Sequence, residues 1–123
     1  MIVGLGLDVV DIPRFRQAIA RHGDRFRLRL FDESEVRDCA TKADPLLSLA
    51  GRFAAKEAFF KAIGTGVAQG VTWRDAIVVR GENGKPTMEL HGVSATLLPP
   101  GARVHLSITH SNRTAAAVVV IEA

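Results

Sequence analysis

Two acidic residues and a lysine have the types and spacing that phosphate chemistry requires. Asp8 ends the segment GLGLD, where an N-terminal strand is expected to leave the core, and Glu57 lies in a long helical stretch. Lys61 follows Glu57 by four residues, so both side chains lie on the same side of that helix. Two carboxylates from separate elements suit Mg²⁺, which usually binds through one or two carboxylates plus substrate phosphate. A lysine one turn away would serve the phosphate as a point charge.

A structural interpretation of these residues stays open. Phe53, Phe60 and Ile63 recur at helical spacing and predict a core-facing stripe that Glu57 borders. Glu57 and Lys61 would then form an ion pair at the rim of the core, which contributes little to stability.

The segment GTG after this helix is a weak signal for phosphate binding. A glycine that ends the helix explains Gly64, whereas Gly66 could let a ligand approach the backbone. The sequence has no GxxxxGK[ST] loop and no Cys/His cluster with zinc spacing, which argues against a nucleotide-binding P-loop and against zinc.

The elements that must position these residues mix helices with hairpins. Periodicity, caps and turn signals predict strands at 2–9, 76–80, 87–90, 103–110 and 114–122, and helices from Asp11, at 32–40, from Asp44 to Ile63 and at 92–98. The turns GENGKP and SNR join the last four strands as two hairpins. Without regular βαβ alternation, this order favours an α+β fold, with antiparallel hairpins packed on a long helix, in one domain spanning residues 1–123.

Composition predicts a cytoplasmic protein without a membrane partner. The chain has 123 residues, 47% of them hydrophobic and 24% charged, which is ordinary for a globular domain. A single cysteine, Cys39, cannot form an internal disulfide and fits a reducing compartment. The N-terminal segment meets a charge at Asp8, so it matches neither a signal peptide nor a spanning helix.

Positive charge is concentrated in the first predicted helix. Six of the 16 Lys and Arg residues lie between residues 12 and 31, against one of the 13 acids. Arg14, Gln17 and Arg21 share one face of this helix, and Arg25 lies near them. For a single arginine a solvated helix face is the simpler explanation, but the cluster favours docking of an acidic partner.

The strand HLSITH presents polar residues on one face. His105, Ser107 and Thr109 alternate with Leu106 and Ile108, which are expected to face the core, and His110 is left at the strand end. The polar face is either a solvated edge or part of a site.

Four segments together resemble the holo-[acyl-carrier-protein] synthases, the short type of 4′-phosphopantetheinyl transferase. They are GLGLDVVDI at 4–12, GRFAAKEAFFKAIGTG at 51–66, NGKP at 83–86 and HLSITHSNRTAAAVVVIE at 105–122. The resemblance covers nearly the whole chain in the family's order. It implies transfer of the 4′-phosphopantetheine arm of coenzyme A to a serine of apo-acyl carrier protein, with release of adenosine 3′,5′-bisphosphate, in support of fatty acid biosynthesis.

The resemblance also implies roles for particular residues. Mg²⁺ would be held by Asp8 and Glu57, and Lys61 would contact the pyrophosphate. The other residues expected to contact coenzyme A are Arg52, Gly64, Gly66, Lys85, Pro86, His105, Thr109 and His110. Arg14, Arg21 and Arg25 would dock the acidic carrier protein. The family forms homotrimers with active sites between subunits, so some of these residues are expected to meet only across an interface.

Three candidates remain for the base that accepts the serine proton: Glu57, Glu35 and a metal-bound water. A metal-bound carboxylate is a poor base because the cation lowers its pKa. Many family members carry an acid directly after the second histidine, but this chain has Ser111 there. A catalytic carboxylate from that turn is therefore not expected.

Two other functions compete with this one. The arginine segment could bind nucleic acid, although the chain has no tyrosine and the segment offers few aromatic residues for stacking. The two acids could instead serve a Mg²⁺-dependent nuclease, which would cleave phosphodiesters without coenzyme A. The family resemblance argues against both and against a nucleic-acid partner.

Overall fold

A computed structural model describes all 123 residues as five strands and four α-helices. In chain order they are β1 (Ile2–Asp11), α1 (Ile12–Leu30), α2 (Glu33–Ala40), α3 (Pro45–Ala62), β2 (Ala76–Arg80), β3 (Pro86–Leu90), α4 (Gly92–Thr96), β4 (Arg103–His110) and β5 (Thr114–Glu122). Short 3₁₀ turns cover Trp73–Asp75 and Glu82–Gly84. None of the helices is both long enough and apolar enough to cross a membrane.

The strands form two antiparallel sheets. β5 lies at the centre of a three-stranded sheet between β1 and β4, and β2 pairs with β3 as a separate hairpin. α3 packs across the inner face of the larger sheet and also contacts β2 and α2. The predicted α+β class and both predicted hairpins are confirmed.

The small residues of α3 let it lie close to the sheet. Its N-terminus is capped by Asp44, whose side chain accepts a hydrogen bond from the backbone N–H of Leu47 at 3.3 Å. Ala50, Ala54, Ala55 and Ala58 are fully buried along its length and form much of the core. This helix therefore fixes the side chains on its flanks, including the predicted catalytic ones, relative to the sheet.

The first strand is longer than the sequence indicates. Its pairing with β5 continues to Asp11, which lies opposite Thr114. Asp8 therefore lies inside the strand, whereas the sequence predicts that the strand leaves the core at Asp8. Asp11 then caps α1 by accepting from the N–H of Arg14 at 3.3 Å.

α1 buries one face and is interrupted near its middle. Ile12, Phe15 and Ile19 form its buried stripe. Gly23 has a left-handed, non-helical backbone (φ 69°, ψ −158°), which kinks the helix and redirects its second half.

The N-terminus of α2 provides a test of acid stability. Asp32 accepts hydrogen bonds from the N–H and hydroxyl of Ser34 and pairs with Arg74, and these contacts lower the pKa of Asp32 to about 2. A lowered pKa stabilises the fold above the unfolded-state value and stops doing so as pH falls through about 2. We expect Asp32→Asn to lose less stability than wild type between pH 4 and pH 2, as measured by urea unfolding. Equal losses in the two proteins would contradict this.

Candidate active site

Asp8, Glu57 and Lys61 come together where β1 crosses α3. Gly4, Gly6 and Asp8 alternate on the inner face of β1. A Cβ added at Gly6 would overlap the carbonyl oxygen of Ala58, and one at Gly4 would lie 2.6 Å from that of Ala62. The two glycines therefore let the strand touch the helix backbone, and this contact brings Asp8 to the edge of α3.

The three side chains interact electrostatically. Lys61 Nζ donates to Asp8 Oδ1 at 2.9 Å and to the carbonyl oxygen of Leu7 at 3.1 Å. Partial burial, and next the nearby charge of Asp8, raise the pKa of Glu57, while Lys61 opposes this shift. The hydrogen bond and charge of Asp8 raise the pKa of Lys61. The site thus holds two neighbouring carboxylates that repel each other, and the positive charge of Lys61 offsets this repulsion only in part.

The two carboxylates of Asp8 and Glu57 suit Mg²⁺ better than they suit a metal ion whose ligands all come from the protein. No group of three or more His, Cys, Asp or Glu side chains in the structure could hold a metal ion. Two carboxylates alone leave most positions of an octahedral ion to water and substrate phosphate, which is how Mg²⁺ is usually bound. The Lys61 side chain is 52% exposed, so it can leave Asp8 for a phosphate oxygen.

The close approach of β1 to α3 predicts a strong effect at Gly6. We expect Gly6→Ala to lower the free energy of unfolding by about 1–3 kcal/mol, since the new methyl group forces the strand off the helix. The same shift moves Asp8 away from Glu57, so kcat should fall by about 10²-fold. Urea unfolding and steady-state kinetics test both effects. An unchanged unfolding midpoint together with an unchanged kcat would contradict the prediction.

Asp8 and Glu57 border one cavity, and Arg52 faces a second cavity on another side of α3. It is only 7% exposed, donates to the carbonyl oxygen of Val78 at 2.9 Å and lies 3.6 Å from Asp38. Arg52 therefore anchors β2 and α2, a structural role that the sequence did not indicate. The cavity, of about 290 Å³, is also bordered by Pro86 and His110.

Two further cations border this second cavity, and sequence analysis missed both. Lys42 lies in the turn after α2, and Arg80 is the last residue of β2. Neither belongs to a motif, so only the packing of α2 against the hairpin brings them to Arg52. Lys85 is exposed in the adjoining hairpin turn.

Glu35 is not available as a catalytic base. It is fully buried, and its carboxylate lies 2.7 Å from the ammonium group of Lys56, which is also fully buried. It also accepts from the backbone N–H groups of Asp32 and Val78, both at 2.9 Å. Glu35, which the sequence left open as the acceptor of the serine proton, is therefore excluded, because no substrate can reach it.

His105 and Thr109 lie on the outer face of the larger sheet. His105 hydrogen-bonds within its own chain to Glu122 at 3.0 Å, and this contact lowers the pKa of Glu122. Within one chain, neither residue borders the cavity of Arg52 or the Asp8–Glu57 pair.

Gly64 and Gly66 follow the end of α3, and each has a positive φ and open space around its Cα.

The predicted arginine face on α1 borders two concave regions of the protein surface. Arg14, Gln17 and Arg21 border one concave surface, and Arg25 borders another beyond Gly23. Arg16 points elsewhere and pairs with Asp44 at the start of α3.

Comparison with known proteins identifies relatives over the full chain. Residues 4–119 match the model of the 4′-phosphopantetheinyl transferase superfamily. The chain is 48% identical to the holo-[acyl-carrier-protein] synthase of Koribacter versatilis (strain Ellin345), a match that covers 99% of each protein.

Solved structures agree with the sequence relatives. The crystal structure of holo-[acyl-carrier-protein] synthase from Neisseria meningitidis matches with a TM-score of 0.88 at 35% identity, covering 100% of both chains. The synthase from Bacillus anthracis, solved in complex with CoA (3′,5′-ADP), matches with a TM-score of 0.83 at 35% identity, covering 100% of this chain and 98% of that one.

Proposed function

This chain belongs to the 4′-phosphopantetheinyl transferase superfamily, and we propose that it transfers the phosphopantetheine arm of coenzyme A to a serine of apo-acyl carrier protein. The products are holo-acyl carrier protein and adenosine 3′,5′-bisphosphate. The observation that carries this proposal is the convergence of Asp8, Glu57 and Lys61 at the contact between β1 and α3. Since its acceptor is an acyl carrier protein, we further propose that it acts in the cytoplasm in fatty acid biosynthesis.

The residues of the site account for the chemistry of the transfer. The serine hydroxyl gives its proton to Glu57 or to a water while its oxygen bonds to the β-phosphorus. The bond to the nucleotide phosphate breaks, this phosphate leaves as part of adenosine 3′,5′-bisphosphate, and negative charge grows on the oxygens around phosphorus. Lys61 places its ammonium group against that charge, and Asp8 and Glu57 would hold Mg²⁺. When bound, Mg²⁺ supplies further positive charge to the phosphate oxygens.

The second cavity fits the nucleotide end of coenzyme A. Lys42, Arg52 and Arg80 give it a cationic lining, and Pro86 and His110 complete its wall. Arginine and lysine are the usual partners of phosphate groups, so this surface suits the nucleotide phosphates. Lys85 in the neighbouring turn, and Gly64 and Gly66 after α3, remain proposed contacts.

We propose that the enzyme is a homotrimer whose sites combine residues of two subunits. Leu5, Leu7 and Val9 are 67%, 61% and 63% exposed on the outer face of β1, an apolar surface unusual for a monomer. In register, Leu5 shares a row across the sheet with His105, and Val9 shares one with Thr109. A neighbouring copy that covers this face would therefore contact His105 and Thr109.

Mixed oligomers test the shared site. Lys61→Ala and His105→Ala copies, each weak alone, should regain activity when co-expressed, because some interfaces then contain both intact residues. Light scattering should give the mass of three chains. A monomer, or no gain on co-expression, would contradict this architecture.

Mass measurement on the acceptor tests the reaction itself. Apo-acyl carrier protein incubated with this protein, coenzyme A and Mg²⁺ should gain the mass of the phosphopantetheine arm. Omitting Mg²⁺ and adding a chelator should prevent the gain. No mass gain, together with Mg²⁺-dependent cleavage of an oligonucleotide, would instead support a nuclease.

The arginine face predicts a selective effect on the carrier protein. Because acyl carrier proteins are acidic, we expect Arg14→Glu with Arg21→Glu to raise KM for the carrier protein by about tenfold or more at low salt. Affinity for coenzyme A should stay nearly unchanged. Arg37→Glu, a charge reversal at an exposed residue of α2, is the control and should leave both values near wild type. Weaker coenzyme A binding in the double variant would contradict docking on this face.

A further inference from the structure

A single carboxylate lies behind the cationic wall of the second cavity. Lys42, Arg52 and Arg80 give this cavity its positive charge, and no Asp or Glu borders it. Asp38 is on α2, and one of its carboxylate oxygens lies 3.6 Å from the guanidinium group of Arg52. The Asp38 side chain is 45% exposed, whereas Arg52 is buried. A negative charge is thus placed directly beside a cation that borders the proposed nucleotide site.

Arg52 is held in place by β2 and not by Asp38. β2 pairs with β3 along one edge only. At its other edge the carbonyl oxygen of Val78 accepts from Arg52 at 2.9 Å, and the N–H of Val78 donates to Glu35 at 2.9 Å. These bonds are buried, whereas the 3.6 Å separation between Asp38 and Arg52 is too long for a hydrogen bond. Asp38 therefore affects Arg52 through its charge.

The charge of Asp38 acts at the cavity wall. Cys39 follows Asp38 on α2 and borders the cavity. Burial raises the pKa of the Cys39 thiol, the charge of Arg52 lowers it, and the charges of Glu35 and Asp38 raise it. Glu35 is already compensated by the ammonium group of Lys56 at 2.7 Å. Asp38 is therefore the acid whose charge most directly opposes an anion bound in the cavity.

We propose that Asp38 weakens the binding of nucleotide phosphates in the second cavity by placing a negative charge beside Arg52, an inference that rests on the proposed function. A carboxylate close to a guanidinium group lowers the positive potential that a phosphate meets. Coenzyme A and adenosine 3′,5′-bisphosphate share the nucleotide end, so Asp38 lowers the affinity for both. A lower affinity for the bisphosphate speeds its departure after transfer, because differences in affinity at one site lie mostly in the dissociation rate.

Neutralising Asp38 tests the proposal. Asp38→Asn keeps the size of the side chain and removes its charge. We expect the variant to bind adenosine 3′,5′-bisphosphate about fivefold more tightly than wild type, as measured by calorimetry in dilute buffer. Solvent around the exposed part of Asp38 screens its charge and keeps the gain to this size. The inhibition constant of the bisphosphate in the transfer assay should fall by a similar factor.

A control variant and a salt series show whether the position of the charge matters. Glu33→Gln removes one negative charge from an exposed residue of the same helix that does not border the cavity, and it should bind the bisphosphate like wild type. Because the gain in Asp38→Asn comes from charge, it should shrink as NaCl is raised from about 50 mM to about 500 mM.

Three results would overturn the proposal. Weaker or unchanged bisphosphate binding by Asp38→Asn would mean that Asp38 supports Arg52 or has no effect on the cavity, since a purely structural role cannot produce tighter binding. An equal gain in Glu33→Gln would assign the effect to net charge, and a gain that persists at high salt would exclude an electrostatic cause. Failure of the proposed function is recognised separately, because the wild-type protein would then leave the carrier protein unmodified.

Discussion

Asp8→Asn and Glu57→Gln are each expected to slow phosphopantetheine transfer by about 10³-fold or more. Both substitutions keep the size and one acceptor oxygen of the side chain but remove its charge. Without either charge, the proposed Mg²⁺ would keep only one anionic protein ligand and bind more weakly, and the phosphate oxygens would lose the cation that stabilises them in the transition state. Initial rates of holo-carrier protein formation at saturating coenzyme A measure the effect.

Asp11→Asn is the matched control for these variants. Asp11 borders the same recess as Asp8 and Glu57, but its carboxylate caps α1, and asparagine caps helices about as well. We expect its rate to stay within about tenfold of wild type, which would show that the loss belongs to the two ligands and not to local negative charge. Wild-type rates for both Asp8→Asn and Glu57→Gln in Mg²⁺ would refute the metal assignment.

Much of the fold could be predicted because each element carries its own signal. Asp44 and Pro45 mark the start of α3, Gly64 follows its end, and hydrophobic alternation defines β4 and β5. The end of β1 was not predictable in this way. Its last residues form a strand because Thr114 of β5 continues the pairing as far as Asp11, and that contact is not encoded in β1 itself.

The candidate site was predictable only where its residues are positioned by signals within β1 and α3. Asp8 and Glu57 meet because Gly4 and Gly6 admit the helix backbone, and the spacing of these glycines was visible in the sequence. The burial of Arg52 and Lys56 was not predictable from the sequence, which indicated only that Arg52 would contact coenzyme A. They are buried because their partners come from α2, β2 and the turn before β2, which helical periodicity within α3 cannot reveal.

The buried Lys56–Glu35 pair links three parts of the fold. The ammonium group of Lys56 donates to the carbonyl oxygens of Ala76 at 2.7 Å and Trp73 at 3.1 Å, as well as pairing with Glu35. Burial lowers the pKa of Lys56, and the adjacent carboxylate opposes that shift. The pair thereby ties α3 to α2 and to the start of β2, whose hairpin carries Pro86 to the proposed nucleotide cavity.

Lys56→Met is therefore expected to lower the free energy of unfolding by about 3–5 kcal/mol. Methionine fills most of the space, but Glu35 is left as a buried charge without its cation, and the carbonyl oxygens of Trp73 and Ala76 lose their donor. Trp73 is the only tryptophan, so its fluorescence reports unfolding in urea. Protein concentration must be kept constant, since the stability of an oligomer depends on it.

The double variant Lys56→Met with Glu35→Gln separates buried charge from lost packing. Glutamine removes the uncompensated charge and keeps one acceptor oxygen for the N–H groups of Asp32 or Val78. The double variant should therefore recover about 1 kcal/mol or more relative to Lys56→Met, although Glu35→Gln alone should destabilise the wild type. Strictly additive losses would mean that the two groups do not act as a pair and that Lys56 stabilises the fold only through its backbone hydrogen bonds.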